Sequence, residues 1–323
     1  MKAMVLDRFG GPEVLYLADI ERPRASPGNV VVQVAFAGVN PADWKAREGW
    51  LASYFQYQFP FVLGFDAAGI IAEVGEGVEG LGTGDRVVTP GNQGMGERGS
   101  YAEYVSAAAE RVVRLPDHVG LREAATLPTA GMTAWEATLD NGKAHDGALV
   151  VVHGGAGGCG SFAIQIAKMA GARVATTCSE RNADYVRALG AEHVIDYRKG
   201  NVPAALRDWG PEGIDLIVDT VGQGTLIDAL AAMKRGGIIC PIGTLIANEP
   251  RIDGAAAEAA GVTVIPTISS FANQPRQLRA LVDALATGKI AAPDMTILPL
   301  AEAGEAHRRI QQGHVRGKLL LEI

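Results

Sequence analysis

The sequence predicts a two-domain α/β protein, in which an all-β barrel or sandwich precedes a doubly wound parallel sheet. The chain has 323 residues, which suggests two domains of about 150 residues each. Up to about residue 125, short β-branched runs alternate with turn residues. Beyond that point, strand-like and helix-like runs alternate, as in parallel sheets with right-handed crossovers.

The first part of the chain consists of short extended runs. Residues 30–37 are β-branched and partly alternate, and residues 61–74 form a longer extended run. Residues 86–89 and 101–105 resume strands after turns rich in glycine. This spacing favours a barrel or sandwich over βαβ units.

The second part begins with a buried-type strand at residues 149–152 and a helical pattern at residues 158–169. The further strands are predicted at residues 173–177, 193–195, 215–219, 237–242 and 262–267, and the further helices at residues 182–189, 224–233 and 275–287. From about residue 293 the residue pattern is strand-like again, most clearly at residues 317–323, and this C-terminal segment could close back onto the first domain.

Composition and charge exclude several classes of function. The net charge of −7 argues against the basic surface that binds nucleic acid or an anionic membrane. No apolar run reaches the ~18 residues of a membrane span without a charge or a turn. Cys159, Cys178 and Cys240 are sparse and odd in number, so we expect a reducing compartment, the cytoplasm.

The strongest motif is a glycine-rich loop directly after the strand at residues 149–152. Gly155, Gly157 and Gly160 form the G-x-G-x-x-G pattern of dinucleotide-binding loops. In that pattern the first glycine permits a tight turn, the second lets the backbone approach a pyrophosphate, and the third lets helix and strand pack closely. The other residues of the predicted loop are Ala156, Gly158 and Cys159. A purely structural glycine turn is the alternative.

The residues after the second strand of this domain predict NADPH rather than NADH. An acid that binds the ribose of NAD is expected about 20 residues after the glycine loop, but residues 174–179 contain none. Ser179 and Arg181 instead offer a hydroxyl and a planar charged fork, which suit a 2′-phosphate. Glu180 could still act as the missing acid, and Arg181 could be a solvated residue of the next helix.

Eight stretches spread along the whole chain form a specific set. They are GVNPADWK at 38–45, LGFDAAG at 63–69, GDRV at 84–87, GSYAEY at 99–104, LPTAGMTA at 127–134, the glycine loop, DTVG at 219–222 and GHVRGK at 313–318. Together they resemble the zinc-free quinone oxidoreductase branch of the medium-chain dehydrogenase/reductase superfamily. The resemblance implies a GroES-like catalytic domain (residues 1–125 and 293–323), a Rossmann domain (126–292) and NADPH in the cleft between them. It also implies a homodimer joined edge to edge through the strand at 262–267.

The resemblance also implies further contacts with the cofactor. They are Thr133 for the nicotinamide half, Tyr197 for the adenosine side, Lys318 near the cleft, and Thr220, Val221, Gly243 and Thr244 at the ends of strands. Cys159 lies where a helix begins, which lowers the pKa of a thiol, so it is either a neighbour of the cofactor or a redox-sensitive residue.

The residues at the zinc positions of the superfamily predict a metal-free site. The zinc alcohol dehydrogenases use a Cys, a His and a second Cys or an acid there, and in this chain the matching positions fall near Asn40 and in Gly64-Phe65-Asp66. Phenylalanine cannot ligate zinc, and no Cys lies between residues 1 and 158 to form a structural zinc lobe. Without a Lewis acid, quinones and carbonyl-conjugated alkenes are the acceptors that take hydride readily.

Lys45 is the best charged candidate for catalysis. It lies in the segment that borders the nicotinamide in relatives, where an ammonium group could stabilise negative charge on the acceptor. It could equally be a surface lysine whose stem lies on the protein. Asn40 and Asp43 beside it could act on the substrate or fix the loop through local hydrogen bonds.

An aromatic-rich segment follows at residues 50–61. Tyr54 and Tyr57 belong to it, and either of them could line a flat apolar pocket for a planar acceptor. The segment could equally be a loop that is pinned onto the barrel core. We count Tyr54 with Lys45 and Asn40 as the predicted catalytic residues.

We therefore expect an NADPH-dependent reductase of quinones or enones. A 2-enoyl thioester reductase is the nearest alternative, and it would need room and cations for a phosphorylated carrier. A non-enzymatic NADPH-binding protein would keep the same glycine loop, so the sequence leaves that alternative open.

Overall fold

A computed structural model of the chain describes residues 1–91, 98–222, 225, 229–243 and 252–323. These residues divide into two units by their internal contacts. The first unit contains Met1–Thr129, Phe271–Gly288 and Asp294–Ile323, and the second contains Ala130–Ser270 and Lys289–Pro293.

The strands and helices are numbered in chain order over the described residues. The strands are β1 (Lys2–Leu6), β2 (Tyr16–Asp19), β3 (Asn29–Val39), β4 (Phe61–Val62), β5 (Asp66–Val74), β6 (Arg86–Pro90), β7 (Tyr104–Ala108), β8 (Val113–Arg114), β9 (Leu149–His153), β10 (Arg173–Cys178), β11 (His193–Asp196), β12 (Ile214–Asp219), β13 (Met233–Pro241), β14 (Thr263–Val264), β15 (Met295–Pro299) and β16 (Lys318–Glu322). The α-helices are α1 (Pro41–Arg47), α2 (Leu121–Ala124), α3 (Met132–Trp135), α4 (Gly158–Met169), α5 (Ala183–Ala188), α6 (Val202–Trp209), α7 (Gly254–Ala260), α8 (Gln274–Ala286) and α9 (Ala303–Gln312).

Two sheets form the first unit. A seven-stranded sheet runs in the order β15-β16-β3-β5-β6-β8, with β7 also paired to β3, and a three-stranded sheet runs β2-β1-β4. The long strand β3 pairs antiparallel with β16, β5 and β7, because its β-branched residues suit a buried, pleated surface. Strand β16 therefore joins the end of the chain to its first forty residues.

The run predicted as one strand at residues 61–74 is two strands, so that prediction is wrong in its middle. Gly64 separates β4 from β5 with a φ of +114°, a conformation that residues with side chains rarely adopt. A Cβ at Gly64 would lie 2.4 Å from the Ser100 Oγ and 2.9 Å from the Ser100 backbone nitrogen. The chain therefore turns where the loop before β7 comes close, and Asp66 begins the new strand.

The second unit contains a six-stranded parallel sheet in the order β11-β10-β9-β12-β13-β14. The strand order reverses between β9 and β12, which pair in register from Leu216 with Val150 to Asp219 with His153. The carboxyl ends of the strands at such a reversal are where ligands bind in doubly wound sheets. The predicted doubly wound sheet is confirmed, and helix α4 has the predicted bounds.

Two predictions of single elements differ from the structure, and one helix was not predicted. The strand predicted at 262–267 is the two-residue strand β14, and Thr267 adds a single bridge to Ile242. The helix predicted at 224–233 lies partly outside the described residues, and within them Ala229–Ala232 is a 3₁₀ turn that leads into β13. Helix α1 was not predicted, although Asn40 and Pro41 are typical residues for a helix start.

Helix α8 has its contacts in the first unit. It packs on β8 and on the turn Ala109–Arg111, and Arg111 donates a hydrogen bond to the Gln274 side chain at 2.6 Å. The predicted domain boundaries place this helix with the Rossmann domain, and they stay a prediction. Across the described ranges, no helix is both long and apolar enough to cross a membrane.

Candidate functional site

The glycine loop lies between β9 and α4, at the centre of the parallel sheet. Gly154 turns the chain with a φ of +75°. A Cβ at Gly155 would lie 2.0 Å from the Thr176 Oγ1, and one at Gly160 would lie 2.3 Å from the Gly154 carbonyl oxygen. A Cβ at Gly157 would come no closer than 3.5 Å to its nearest neighbour, so the backbone there is open. The predicted open approach and close packing are thus found at Gly157 and Gly160. The left-handed turn is at Gly154 rather than at Gly155, where the chain packs closely against Thr176.

Thr177 on the neighbouring strand β10 fixes the start of this loop. Its Oγ1 accepts a hydrogen bond from the Gly154 backbone at 3.1 Å, and its carbonyl oxygen accepts one from Gly155 at 3.1 Å. The Thr177 hydroxyl also lies 3.2 Å from the His153 Nδ1. Burial lowers the pKa of His153, so the ring is neutral and acts as a buried hydrogen-bonding residue at a strand end. Thr177 is not among the residues that the sequence predicts for this site.

The loop after β12 is held beside Gly154 by a buried carboxylate. Asp219 Oδ1 accepts hydrogen bonds from the backbone of Val221 at 2.9 Å and of Gly222 at 3.1 Å. Thr220 donates from its hydroxyl to the His153 carbonyl oxygen at 2.7 Å. Val221 is exposed at this edge. The structure therefore brings Thr220 and Val221 to the same edge of the sheet as the glycine loop.

The ends of β10 and β11 carry the residues predicted to select NADPH. Ser179 is buried and accepts a hydrogen bond from the Asn182 side chain at 3.3 Å, while Arg181 is exposed. Tyr197 is exposed just after β11. Glu180 forms an exposed ion pair with Lys199, which follows Tyr197 by two residues. The corner also contains the ion pair of Arg198 with Asp196, so two acids and three cations lie there.

The remaining predicted cofactor contacts of this unit are spread along it. Gly243 follows β13 with a φ of +73°, and Thr133 is nearly buried in α3. Cys159 is half-buried in the first turn of α4, and Ala156 is buried in the glycine loop. Gly158 is the first residue of α4. Thr244 lies outside the described residues.

In the first unit, a buried charge pair binds the residues at the superfamily's zinc positions. The Lys318 ammonium donates to the Asn40 Oδ1 at 2.6 Å and to the Val39 carbonyl oxygen at 3.2 Å, and it lies 3.6 Å from the Asp66 Oδ2. Asp66 also accepts hydrogen bonds from the Asn40 side chain at 2.9 Å and from the Thr129 backbone at 3.0 Å. The Lys318 side chain, predicted to face the cofactor, therefore lies among oxygen acceptors inside the barrel.

Asp43 begins a second buried group next to this pair. Its Oδ2 accepts a hydrogen bond from the Asn40 backbone at 2.7 Å and so caps helix α1. Burial, and then the charge of Asp66, raise the pKa of Asp43 to about 7. The predicted local hydrogen bonds of Asn40 and Asp43 are therefore confirmed.

A set of contacting buried side chains lies near Asp43. It consists of Tyr101, His307 and Arg47. The Tyr101 hydroxyl lies 3.2 Å from the His307 Nε2, and Arg47 Nη1 lies 3.3 Å from the His307 Nδ1. Arg47 also donates to the Gly10 carbonyl oxygen at 2.9 Å and to the Gln311 side chain at 3.1 Å. Burial, and then Arg47, lower the pKa of His307 to about 3, so the imidazole is neutral.

The predicted catalytic residues differ in their surroundings. Lys45 is only 8% exposed, so the alternative of a surface lysine is wrong. Its ammonium lies 5.8 Å from the centre of the Trp44 ring. Tyr54 is 69% exposed on the first unit. Tyr57 packs edge-on against Phe9 and Phe61, with ring centres 5.2 and 4.8 Å away, so this part of the aromatic segment is pinned to the barrel.

Phe65 lies between Gly64 and Asp66, at a zinc position of the superfamily, and carries no atom that could bind a metal. Its ring lies 5.9 Å from that of Phe55. Among the side chains that the structure describes, no cluster of three or more His, Cys, Asp and Glu residues could hold a metal ion.

Known proteins share this architecture. The family models for an alcohol dehydrogenase GroES-like domain and for a zinc-binding dehydrogenase match residues 26–117 and 189–321. The mitochondrial NAD(P)H oxidoreductase of Bos taurus is 31% identical over 100% of this chain and 89% of its own length. The quinone oxidoreductase of Homo sapiens is 30% identical over 99% of this chain and 97% of its own length. The solved structure of the Escherichia coli quinone oxidoreductase with NADPH has a TM-score of 0.89 and 25% identity, with 100% of both chains covered.

The chain belongs to the zinc-independent quinone oxidoreductase branch of the medium-chain dehydrogenase/reductase superfamily. It is an oxidoreductase with a GroES-like domain and a Rossmann-type parallel sheet. The resemblance drawn from the eight stretches and the predicted fold class are both confirmed.

Two glycines of the loop, Gly160 and Gly157, allow a paired test of its packing. Gly160→Ala places a methyl group against the Gly154 carbonyl oxygen, so we expect a loss of about 1–3 kcal/mol in the free energy of unfolding, despite the better helix propensity of alanine. Gly157→Ala meets no such contact and should cost no more than about 1 kcal/mol. Urea unfolding of both variants measures the difference, and equal losses would contradict the packing argument.

The raised pKa of Asp43 makes its contribution to stability depend on pH. Between about pH 4 and about pH 7, the folded carboxyl keeps a proton that the unfolded chain has released. The folded state then binds more protons, so this contribution falls as the pH rises through that range and is constant above it. The free energy of unfolding of the wild type minus that of Asp43→Asn should therefore decrease from about pH 4 to about pH 7. Urea titrations at a series of pH values measure it, and a constant difference would refute the raised pKa.

Proposed function

We propose that the protein is an NADPH-dependent, zinc-independent oxidoreductase that transfers hydride to a quinone or an α,β-unsaturated carbonyl compound. The observation that carries the proposal is the glycine loop at the strand reversal of the parallel sheet. The names of the relatives support it, because they are described as NAD(P)H and quinone oxidoreductases.

The loop fits a dinucleotide. The backbone at Gly157 is open, and α4 is twelve residues long, so the N–H groups of its first turn can bind a pyrophosphate that approaches there. Bound NADPH would supply the hydride. The protein residues that would hold it are the glycine loop, the Val221–Gly222 backbone and the ends of β10 and β11.

The preference for NADPH over NADH rests on the ends of β10 and β11. Arg181 and Lys199 are exposed cations there, and an exposed ion pair such as Glu180–Lys199 contributes at most about 1 kcal/mol. A dianionic 2′-phosphate can therefore displace Glu180 at little cost. The Escherichia coli relative, which was solved with NADPH, supports this choice.

Zinc independence is proposed from the chemistry of the residues. Phe65 offers no ligand atom, and the Asn40 Oδ1 already accepts from the Lys318 ammonium. Asp66 accepts from the Asn40 side chain and forms an ion pair with Lys318. The acceptor must then be one that takes hydride without a Lewis acid, as quinones and enones do. Lys45, on the helix that starts at Asn40, would stabilise the negative charge that develops on the acceptor oxygen.

Oligomeric state and location stay proposals as well. Strand β14 is an edge strand of the parallel sheet, which supports a homodimer formed through that edge. The sparse cysteines support a reducing compartment such as the cytoplasm.

Consumption of reduced cofactor against a panel of acceptors tests the proposed activity. After dialysis against a chelator, NADPH and NADH are each mixed with an ortho-quinone, a para-quinone, a short enone, a crotonyl thioester and a simple aldehyde. We expect turnover with NADPH and a quinone or the enone. Turnover with the thioester alone would indicate an enoyl reductase, and tight NADPH binding without turnover would indicate a binding protein. Activity lost to the chelator and restored by zinc would contradict zinc independence.

Lys45→Met tests the role of the buried ammonium. We expect kcat to fall roughly 100-fold, because one donor to a developing oxyanion is lost, with little change in the dissociation constant for NADPH. Lys2→Met removes an exposed ammonium that pairs with Asp19 and serves as the control. An unchanged kcat in Lys45→Met would remove this residue from the mechanism.

A further inference from the structure

Phe65 is a partly exposed aromatic side chain inside an otherwise buried stretch of the first unit. The residues on either side of it, at positions 61–64 and 66–69, are all buried. An apolar ring that stays partly in water forfeits part of the free energy that its burial would provide. The ring at position 65 is therefore open at a place where the fold buries everything around it.

Hydrogen bonds from two loops fix the backbone around Phe65. The Gly91 backbone N–H donates to the Phe65 carbonyl oxygen at 2.6 Å. The Ser100 backbone N–H donates to the Gly64 carbonyl oxygen at 3.1 Å, and the Ser100 hydroxyl donates to the Asp66 carbonyl oxygen at 2.7 Å. The ring is thus attached to a backbone that cannot shift without breaking several hydrogen bonds.

The ring of Phe55 lies against that of Phe65. Their centres are 5.9 Å apart and their planes are inclined by 49°, which is within the range of favourable aromatic pairs. Phe55 is half-buried, whereas its neighbours Tyr54 and Gln56 are exposed. The contact therefore holds one turn of the aromatic segment in place, with two partly exposed rings side by side. We call Phe55 and Phe65 the ring pair.

The ring pair is tied to the start of helix α1. Asn40, which precedes the helix, donates from its side chain to the Asp66 carboxylate at 2.9 Å, and Asp66 directly follows Phe65. Lys318 binds both of these polar groups inside the barrel. Phe65 therefore lies one residue from the buried group that fixes α1, the helix that carries Lys45.

The ring pair is also tied to the other end of α1. The Lys45 carbonyl oxygen accepts a hydrogen bond from the Trp50 backbone at 3.0 Å, and the Leu51 carbonyl oxygen accepts one from the Phe55 backbone at 3.0 Å. Short-range hydrogen bonds thus connect Lys45 with Phe55 through turns, and the contact with Phe65 closes the path. Lys45 and the ring pair therefore belong to one closed frame of contacts.

The chemistry of the ring pair favours one class of acceptor. Two phenyl rings carry no charge and no hydrogen-bonding group, so they gain nothing from polar substituents. They attract a flat apolar ring, which packs against them in offset or edge-on geometry. Phe65 also stands at a zinc position of the superfamily, where its ring cannot polarise the acceptor but can bind the apolar body of the acceptor.

We propose that Phe65, supported by Phe55, is a specificity-determining residue, and that it selects acceptors whose quinone or enone group is joined to a further aromatic ring. This inference rests on the proposed function. The Lys45 ammonium binds the oxygen of such an acceptor, and the ring pair binds its fused or attached ring. Small enones and simple benzoquinones lack that ring and are bound through the oxygen alone.

The test uses two pairs of acceptors, and the members of each pair differ by an aromatic ring. A dimethylated para-naphthoquinone is compared with the corresponding dimethylated para-benzoquinone, and benzylideneacetone is compared with ethylideneacetone. The measured quantity is the ratio of kcat/KM for the larger acceptor to that for the smaller one, with NADPH. Phe65→Ala should lower this ratio roughly tenfold, because only the larger acceptor loses a ring contact. Phe55→Ala should lower it roughly threefold, because Phe65 loses its support.

Three further variants separate the ring from its bulk and its position. Phe65→Tyr keeps a ring and should preserve the ratio within about twofold, whereas Phe65→Leu keeps apolar bulk without a ring and should lower the ratio. Tyr16→Ala removes a ring that is 43% exposed on the edge strand β2 and should leave the ratio unchanged. Thermal unfolding of each variant shows whether it is folded. If Phe65→Ala does not fold, the comparison of Phe65→Tyr with Phe65→Leu decides.

An unchanged ratio in Phe65→Ala would overturn the inference, as would equal losses in Phe65→Tyr and Phe65→Leu. A wild type that turns over no acceptor would contradict the proposed function instead. In that event, calorimetric titration with the dimethylated naphthoquinone in the presence of NADP⁺ decides, because the oxidised cofactor has no hydride to transfer. Binding that is roughly tenfold weaker in Phe65→Ala than in the wild type would support the ring pair as the subsite. Equal binding, or none to the wild type, would overturn it.

Discussion

The buried pairing of Lys318 with Asp66 is the interaction on which the first unit depends. Both side chains are almost completely removed from water, at 4% and 0% exposure. Burying either charge alone would cost several kcal/mol, so each needs the other and a full set of hydrogen bonds. Asn40 supplies that set on both sides, because its amide donates to Asp66 and accepts from Lys318. The start of α1 is therefore fixed by the electrostatic needs of two residues far from it in sequence.

The second unit achieves its geometry by a different physical means. Its loop is set by the absence of side chains, since a Cβ at Gly155 or Gly160 would strike Thr176 or the Gly154 backbone. Its polar anchors are hydrogen bonds of Thr177 and Asp219 to backbone N–H groups, which need no charge partner. Clearance for a ligand is thus created by tight packing on either side of one open glycine. The first unit, in contrast, relies on hydrogen bonds and an ion pair among buried polar side chains.

This difference explains how much the sequence could predict. The glycine loop, α4 and the parallel strands depend on local patterns, and their positions follow from spacing alone. The buried contact between Arg47 and His307 joins residues 260 positions apart, which no local pattern encodes. Lys318 lies in a local motif that predicts a cofactor contact, but its buried partners Val39, Asn40 and Asp66 are distant in sequence, so no local pattern predicts their contacts. The split of the strand at Gly64 escaped prediction for the same reason, since Ser100 from a later loop enforces it.

The pairing of early residues with the late strand β16 has a consequence for biosynthesis. Asp66 and Asn40 are made early, but the ammonium that completes them belongs to β16 and leaves the ribosome only after residue 318 has been added. Until then, strand β3 lacks one neighbour and a buried carboxylate lacks its cation. The parallel sheet, whose strands all lie between residues 149 and 264, has every member before that moment. All strands of the parallel sheet are therefore synthesised before the unit that carries Lys45 can receive strand β16.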